Sequence, residues 1–263
     1  MKYFNSRNRA ILREMISSDF KVRYQGSVLG YAWSLLRPLF LFAVLYIVFV
    51  YIIPLGKDVE HFPVYLLTGV IFWNFFIEAT TQGSLAVVSR GDLIRKISIP
   101  RYLLVISSSV SALINLGLSL VVLFVFALIS GIMPDIQWLL IIPLVIEMFA
   151  LTLGISFLLS TLYVKFRDIS YIWEVFLQVG FYASAIIFPL SSVPIKYHAI
   201  LFLNPIVQII QDARYIIATH TSVTIWSTVN SFAIFIPFVV IAIIAVIGGL
   251  YFKRRSKYFA EDI

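Results

Sequence analysis

The sequence predicts an all-α integral membrane protein with six transmembrane helices, an N-terminal interfacial helix and a short re-entrant helical hairpin on the outer side. Three observations carry that expectation. Of the 263 residues 61% are hydrophobic and only 13% charged, where ordinary soluble domains have about 25% charged. Six apolar runs are long enough to cross a bilayer, which takes about 20 residues. All but three of the 20 Lys and Arg residues fall in segments that a single alternating threading places on one side. Cysteine is absent, which excludes a disulfide framework, a thiolate metal site and a thiol nucleophile. The charged start MKYFNSRNRAILREM leads into no apolar run with a small-residue cleavage site, so no cleaved signal peptide is expected and the first span does the targeting.

The elements follow in chain order. Residues 8–24 place Ile11, Leu12, Met15, Ile16 and Phe20 on one helical stripe with Arg9, Arg13, Asp19 and Arg23 elsewhere, the pattern of a helix lying in the membrane interface. The six spans are read at 31–55, 62–88, 102–130, 138–164, 169–189 and 226–252. In the first, Arg37 and Pro38 stand near the start, so its deep part begins at Leu39. Between the second and third spans, residues 91–100 read as one short helix: Gly91 breaks the preceding helix, Asp92 caps the new one, and Pro100 stops it. Leu93, Ile94 and Ile97 then share one face and Arg95 and Lys96 the other, a pattern suited to docking in a partner's groove. Residues 190–218 hold two apolar runs too short to cross. Pro194 opens the first and Asn204–Pro205 the second, because Asn caps free amides and Pro fits the first helical position.

Orientation comes from the basic residues. Those outside the majority are Lys57, Lys196 and Arg214, so the positive-inside rule puts both termini and the 91–100 loop in the cytoplasm, in a multi-pass protein of the cytoplasmic membrane. The whole chain, 1–263, forms one transmembrane domain. Its net charge of +7 is a topology signal, and no nucleic-acid partner is expected.

Bond-breaking chemistry leaves no mark. Gly56–Lys57 lacks the upstream glycine of a phosphate loop, His61, His198 and His220 are scattered without zinc spacing, and no serine sits in a G-x-S-x-G elbow. The chain is expected to carry no cofactor, no metal and no catalytic residue. Four acids lie in or near the spans: Glu174 close to the cytoplasmic interface, Asp212 within reach of Arg214 or Lys196, and Glu78 and Glu147, which either line a hydrated path or pair across helices. An ion-coupled transporter working through Glu78 and Glu147 is therefore an alternative, although the two halves carry no matching broken helices. Phe42, Tyr46 and Phe49 share a face of the first span, and further rings cluster at Phe72, Trp73, Phe75 and Phe76 and at Phe176, Phe181, Tyr182 and Phe188. Ring faces suit sugar stacking, while packing and an interfacial belt are the simpler account of any single ring.

Four stretches in order, DFKVRYQGSVLGYAWSLLRP (19–38), LIRKISIPR (93–101), YVKFRDI (163–169) and FLNPIVQIIQDAR (202–214), resemble the membrane permease subunit of ABC exporters for O-antigen, teichoic acid and capsule. One departure is Ile99, where relatives often have an aromatic before the proline. The resemblance implies a dimer of this chain with a separate ATPase subunit that holds ATP and magnesium. It also implies export of a lipid-linked polysaccharide through a membrane, with a drug or lipid as the alternative cargo of the same fold. On that basis Asp92, Leu93, Ile94, Arg95, Lys96 and Ile97 couple to the ATPase, and Phe42, Tyr46, Phe49, Glu78 and Glu147 are candidates for the substrate path. Asn204, Pro205 and Arg214 belong to an outer gate, where loss of the Arg214 side chain is expected to impair export and leave folding intact.

Overall fold

The computed structural model describes residues 5–24, 30, 32–52, 56–57, 59–96, 99–229 and 232–259. Among them the ordered elements are all helical. Among the described residues four helices, at Phe62–Leu85, Tyr102–Ile129, Ile136–Lys165 and Phe232–Arg255, are long and apolar enough to cross a membrane, and a fifth candidate is a pair bent by 113°.

The centre of the bundle is α3 (Phe62–Leu85), which touches α2 (Ala32–Tyr46), α5 (Tyr102–Ile129), α6 (Ile141–Lys165), α7 (Ile169–Ala183) and α9 (Pro205–Ile217). Its apolar window is 78% buried, against 17% for that of α11 (Ile236–Arg255), so α3 is wrapped by protein and α11 lies at the rim. Lipid tails are as apolar as Leu, so packing and hydrogen bonds, not water expulsion, must hold such helices together. Small residues do this between α6 and α11. A Cβ on Gly154 would come within 2.7 Å of the Ala245 backbone, and one on Gly248 would collide with the Gly154 carbonyl. Across α3 and α6, Ser156 Oγ donates to the Ala79 carbonyl at 3.2 Å, and Gly83 leaves room for the Ser156 side chain.

One expected span ends early. The fifth becomes α7, of 15 residues, about 22 Å long at 1.5 Å per residue against about 30 Å of hydrocarbon. The chain leaves the helix at Ser184, and Ala185 has φ of 50°. In the first, α2 runs over Pro38 and gives way to a π-helical turn at Ile47–Ile52. The sixth starts late: residues 225–228 form a separate short helix, α10 (Ile225–Thr228), and the long helix begins at Phe232.

At one end, α1 (Ser6–Tyr24) covers the 8–24 amphipathic segment, but its stripe meets protein. Met15 is buried in a cluster with Leu103, Leu104 and Val105, and Ile11 and Leu12 pack against it. Ile16 is half-buried, and the Phe20 side chain lies outside the described residues. Asp19 pairs with Arg90, whose guanidinium also donates to the Leu104 carbonyl and Ser107 Oγ. Arg90, which charge distribution alone made a topology marker, is therefore a strut joining α1 to α5.

Candidate functional site

The link from α3 to α4 (Gly91–Lys96) is nearly continuous. Ala86, Val87 and Gly91 all keep right-handed helical dihedrals, with a 3-10 turn at Val88–Arg90 between them. Gly91 does not break the helix as expected, and Asp92 sits exposed in the first turn of α4 instead of capping it, where its carboxylate still complements the helix dipole. Leu93 packs against the Met15 cluster of its own chain. The side chains of Ile94, Arg95 and Lys96, and all of Ile97, lie outside the described residues.

The hairpin is built as the Asn-Pro signal implies. Pro194 precedes a 3-10 turn at Ile195–Tyr197 and then α8 (His198–Leu201). Asn204 Oδ1 accepts from the Ile206 amide at 3.0 Å, Pro205 is the first helical residue, and Asn204 Nδ2 donates to Ser184 Oγ at 3.2 Å. The residues of α9 are buried almost throughout, including polar ones. Tyr65 Oη donates to Gln211 Oε1 and accepts from the Leu190 amide.

Arg214 is the keystone of this end. Fully buried, it donates from Nε to the Tyr65 carbonyl at 3.0 Å, from Nη1 to Ala185 at 2.8 Å and from Nη2 to Ile186 at 2.6 Å. Its guanidinium stacks 3.8 Å from the Tyr65 ring centroid, and Gly69 keeps α3 clear of it. Two of those carbonyls, of Ala185 and Ile186, lie in the segment just past α7. Arg214 therefore does not pair with Asp212, and its removal would leave the buried Ala185 and Ile186 carbonyls without this donor, so the side chain bears on the fold as well as on any gate.

The expected path residues separate. Phe42 meets Phe126 edge-on at 5.6 Å, and Phe49 packs on the main core; Tyr46 is half-buried between Phe42 and Tyr51. Glu78 accepts from Asn115 Nδ2 at 2.6 Å across to α5 and from Gln82 Nε2 at 3.0 Å, the cross-helix pairing of the two options open for it. Glu147 instead lines a cavity with Gln208 and Asp212 of α9. Trp73 and Phe76 are core residues, and Trp173 Nε1 donates to Thr80 Oγ1 at 3.0 Å.

A different surface stands out. Only Leu177 of α7 is buried, and the helix exposes Tyr171, Glu174, Gln178 and Tyr182, which fall on one stripe at i, i+3, i+7 and i+11. Polar groups facing hydrocarbon are costly, which makes this stripe a candidate for a protein contact or a water-filled path. An apolar face of α2 and the π-helical turn after it, with Phe40, Val44, Ile47 and Tyr51, is exposed as well. Sequence reasoning placed Glu174 near an interface and missed the stripe, although its spacing was there to be read.

Among curated relatives, the chain is 28% identical over 252 residues to the O-antigen export system permease protein RfbA of Klebsiella pneumoniae, covering 95% of this chain and 94% of the relative. It is 26% identical over 261 residues to RfbA of Myxococcus xanthus, covering 97% and 96%, and 22% identical over 204 residues to the polysialic acid transport protein KpsM of Escherichia coli, covering 74% and 76%. The profile of the ABC-2 type transporter family spans residues 12–218, from within α1 to the end of α9, and the chain therefore belongs to that family.

Proposed function

We propose that this chain is the transmembrane subunit of an ABC exporter that moves a lipid-linked cell-surface polysaccharide across the cytoplasmic membrane. Two copies act with two ATPase subunits, which bind the ATP and magnesium. The observation that carries the reading beyond family membership is the polar stripe of α7. Tyr171, Glu174, Gln178 and Tyr182 offer hydrogen bonds and ring faces to a hydroxyl-rich chain, on a helix that its own bundle leaves uncovered. Two copies facing each other across α2 and α7 would enclose that stripe.

In this arrangement α2 and α7 complete six crossings together with the four long helices, and both termini are cytoplasmic, as the basic residues favour. The α4 end then faces the ATPase, with Asp92 exposed to it and Leu93 tying the contact to the α1 and α5 cluster. ATP-driven closure of the ATPase pair would push on α4, and the continuous helical link from α3 would carry the push into the buried centre. At the other end the helix that Asn204 and Pro205 begin, held by Arg214, forms the outer gate.

The test is complementation of a strain from which the chain has been deleted. Wild type should restore surface polysaccharide only when its ATPase is co-expressed, and Tyr171→Ala with Tyr182→Ala should lower display at least severalfold at unchanged membrane abundance. Restoration without any ATPase would overturn the exporter reading, and normal display in the double variant would remove α7 from the path.

A further inference from the structure

Between α6, α9, α10 and α11 lies a cavity of about 650 Å³. Its polar lining is unusual for a bundle interior. Glu147 comes from α6, and Gln208 and Asp212 come one turn apart from α9. Gln208 is fully buried and Asp212 is 7% exposed. Gln208 Nε2 donates to Asp212 Oδ2 at 2.8 Å, and Trp226 Nε1 donates to the same oxygen at 3.3 Å. These bonds fix the two side chains and leave three buried oxygens without a donor: Glu147 Oε1, Gln208 Oε1 and Asp212 Oδ1. No Lys, Arg or His is among the described residues that line the cavity, and the nearby Arg214 is committed to backbone carbonyls.

We propose that this cavity binds the primary ammonium group of an organic amine. An ammonium offers three N–H donors and no acceptor, which suits a cavity whose lining holds two carboxylates and no built-in cation. The remaining wall suits the carbon part of such a ligand. Tyr215, Trp226 and Phe238 supply ring faces that attract a cation, and Leu140, Pro143 and Ile216 supply apolar cover. A bare metal ion fits less well, since hard cations take about six to eight oxygens and no cluster of three or more His, Cys, Asp or Glu stands together among the described residues. The amine could be the ethanolamine headgroup of a membrane lipid or a soluble alkylamine, because the recognised chemistry is the same. The inference depends on neither the cargo nor the ATPase proposed above.

The test uses the full-length chain in nanodiscs of phosphatidylglycerol alone and of phosphatidylglycerol with phosphatidylethanolamine. Its thermal midpoint is titrated with hexylammonium and, as the uncharged match, hexanol. Hexylammonium should raise the wild-type midpoint saturably, as a ligand of the folded state does, and hexanol should not. In the near-isosteric Glu147→Gln and Asp212→Asn, the apparent affinity should fall about tenfold or more. A shift seen in phosphatidylglycerol discs and abolished by phosphatidylethanolamine identifies the lipid headgroup as the occupant; an equal shift in both identifies a soluble amine; each supports the site. If a variant cannot be recovered folded, the wild type decides alone, through a preference of about tenfold for hexylammonium over hexanol. Absence of a saturable shift in phosphatidylglycerol discs, an equal response to hexanol, or an unchanged affinity in both variants would overturn the proposal and leave an ordinary water-filled pocket.

Discussion

Arg214 shows what one side chain can hold. Its three donors reach the carbonyls of Tyr65, Ala185 and Ile186, which belong to α3 and to the segment just past α7, so it joins three parts of the chain. Arg214→Ala should cost about 3 kcal/mol through stranded acceptors, and Arg214→Lys should recover only part of that, because an ammonium lacks the planar fork. Reversible unfolding of the purified protein measures both, and wild-type stability for Arg214→Ala would refute the keystone role. Asn204→Ala should cost about 1 kcal/mol by the same measurement. The two residues differ in how far the sequence reveals them. An Asn-Pro pair carries its partner, the Ile206 amide, two positions away. Arg214 reaches backbone carbonyls 149, 29 and 28 positions distant, and a carbonyl leaves no mark on the residue that bears it, which is why Asp212 looked like its natural neighbour.

Two adjacent glycines set the scale of an element contact. A Cβ on Gly248 of α11 would strike the backbone of Gly154 in α6, whereas one on Gly249 has nothing within 4 Å. Gly248→Ala should therefore destabilise by about 1–3 kcal/mol through overpacking, while Gly249→Ala should be neutral or gain up to about 1 kcal/mol from helix propensity. Equal stability of the two variants would show that α6 and α11 do not meet as closely as this. The elements themselves were legible to different degrees. The four long helices announce themselves by apolar length, and the Asn-Pro hairpin by local capping chemistry. The early end of α7 does not, because residues 184–189 stay mostly apolar while the backbone turns away through Ala185, whose carbonyl goes to a side chain far along the chain. Likewise α1 has the period of an interfacial helix, and periodicity cannot say whether lipid or α5 receives the stripe. The candidate path fared as periodic arguments do when several faces are apolar: Phe42 and Phe49 pack inward, and the exposed polar stripe lies on α7.

At the scale of the molecule the basic residues predict a threading, and the absence of cysteine makes it directly measurable. Single cysteines at Ser6 and Ser256 should be protected in intact cells from a membrane-impermeant thiol reagent, and one at Ser191, exposed at the hairpin end, should react. Labelling of Ser6→Cys from outside would reverse the topology, and with it the assignment of α4 to the ATPase and of α9 to the exit. The brevity of α7 has a mechanical meaning in that orientation. A helix of 15 residues reaches about 22 Å, less than the roughly 30 Å of hydrocarbon, so under the proposed pairing of two copies the bilayer would pinch inward where the two α7 helices meet. A polymer threaded through this neck has fewer of its rings gripped at any instant than one crossing the full thickness. Drag on a sliding chain grows with the number of rings held, so a short wall lets each stroke of the ATPase advance the cargo against less friction.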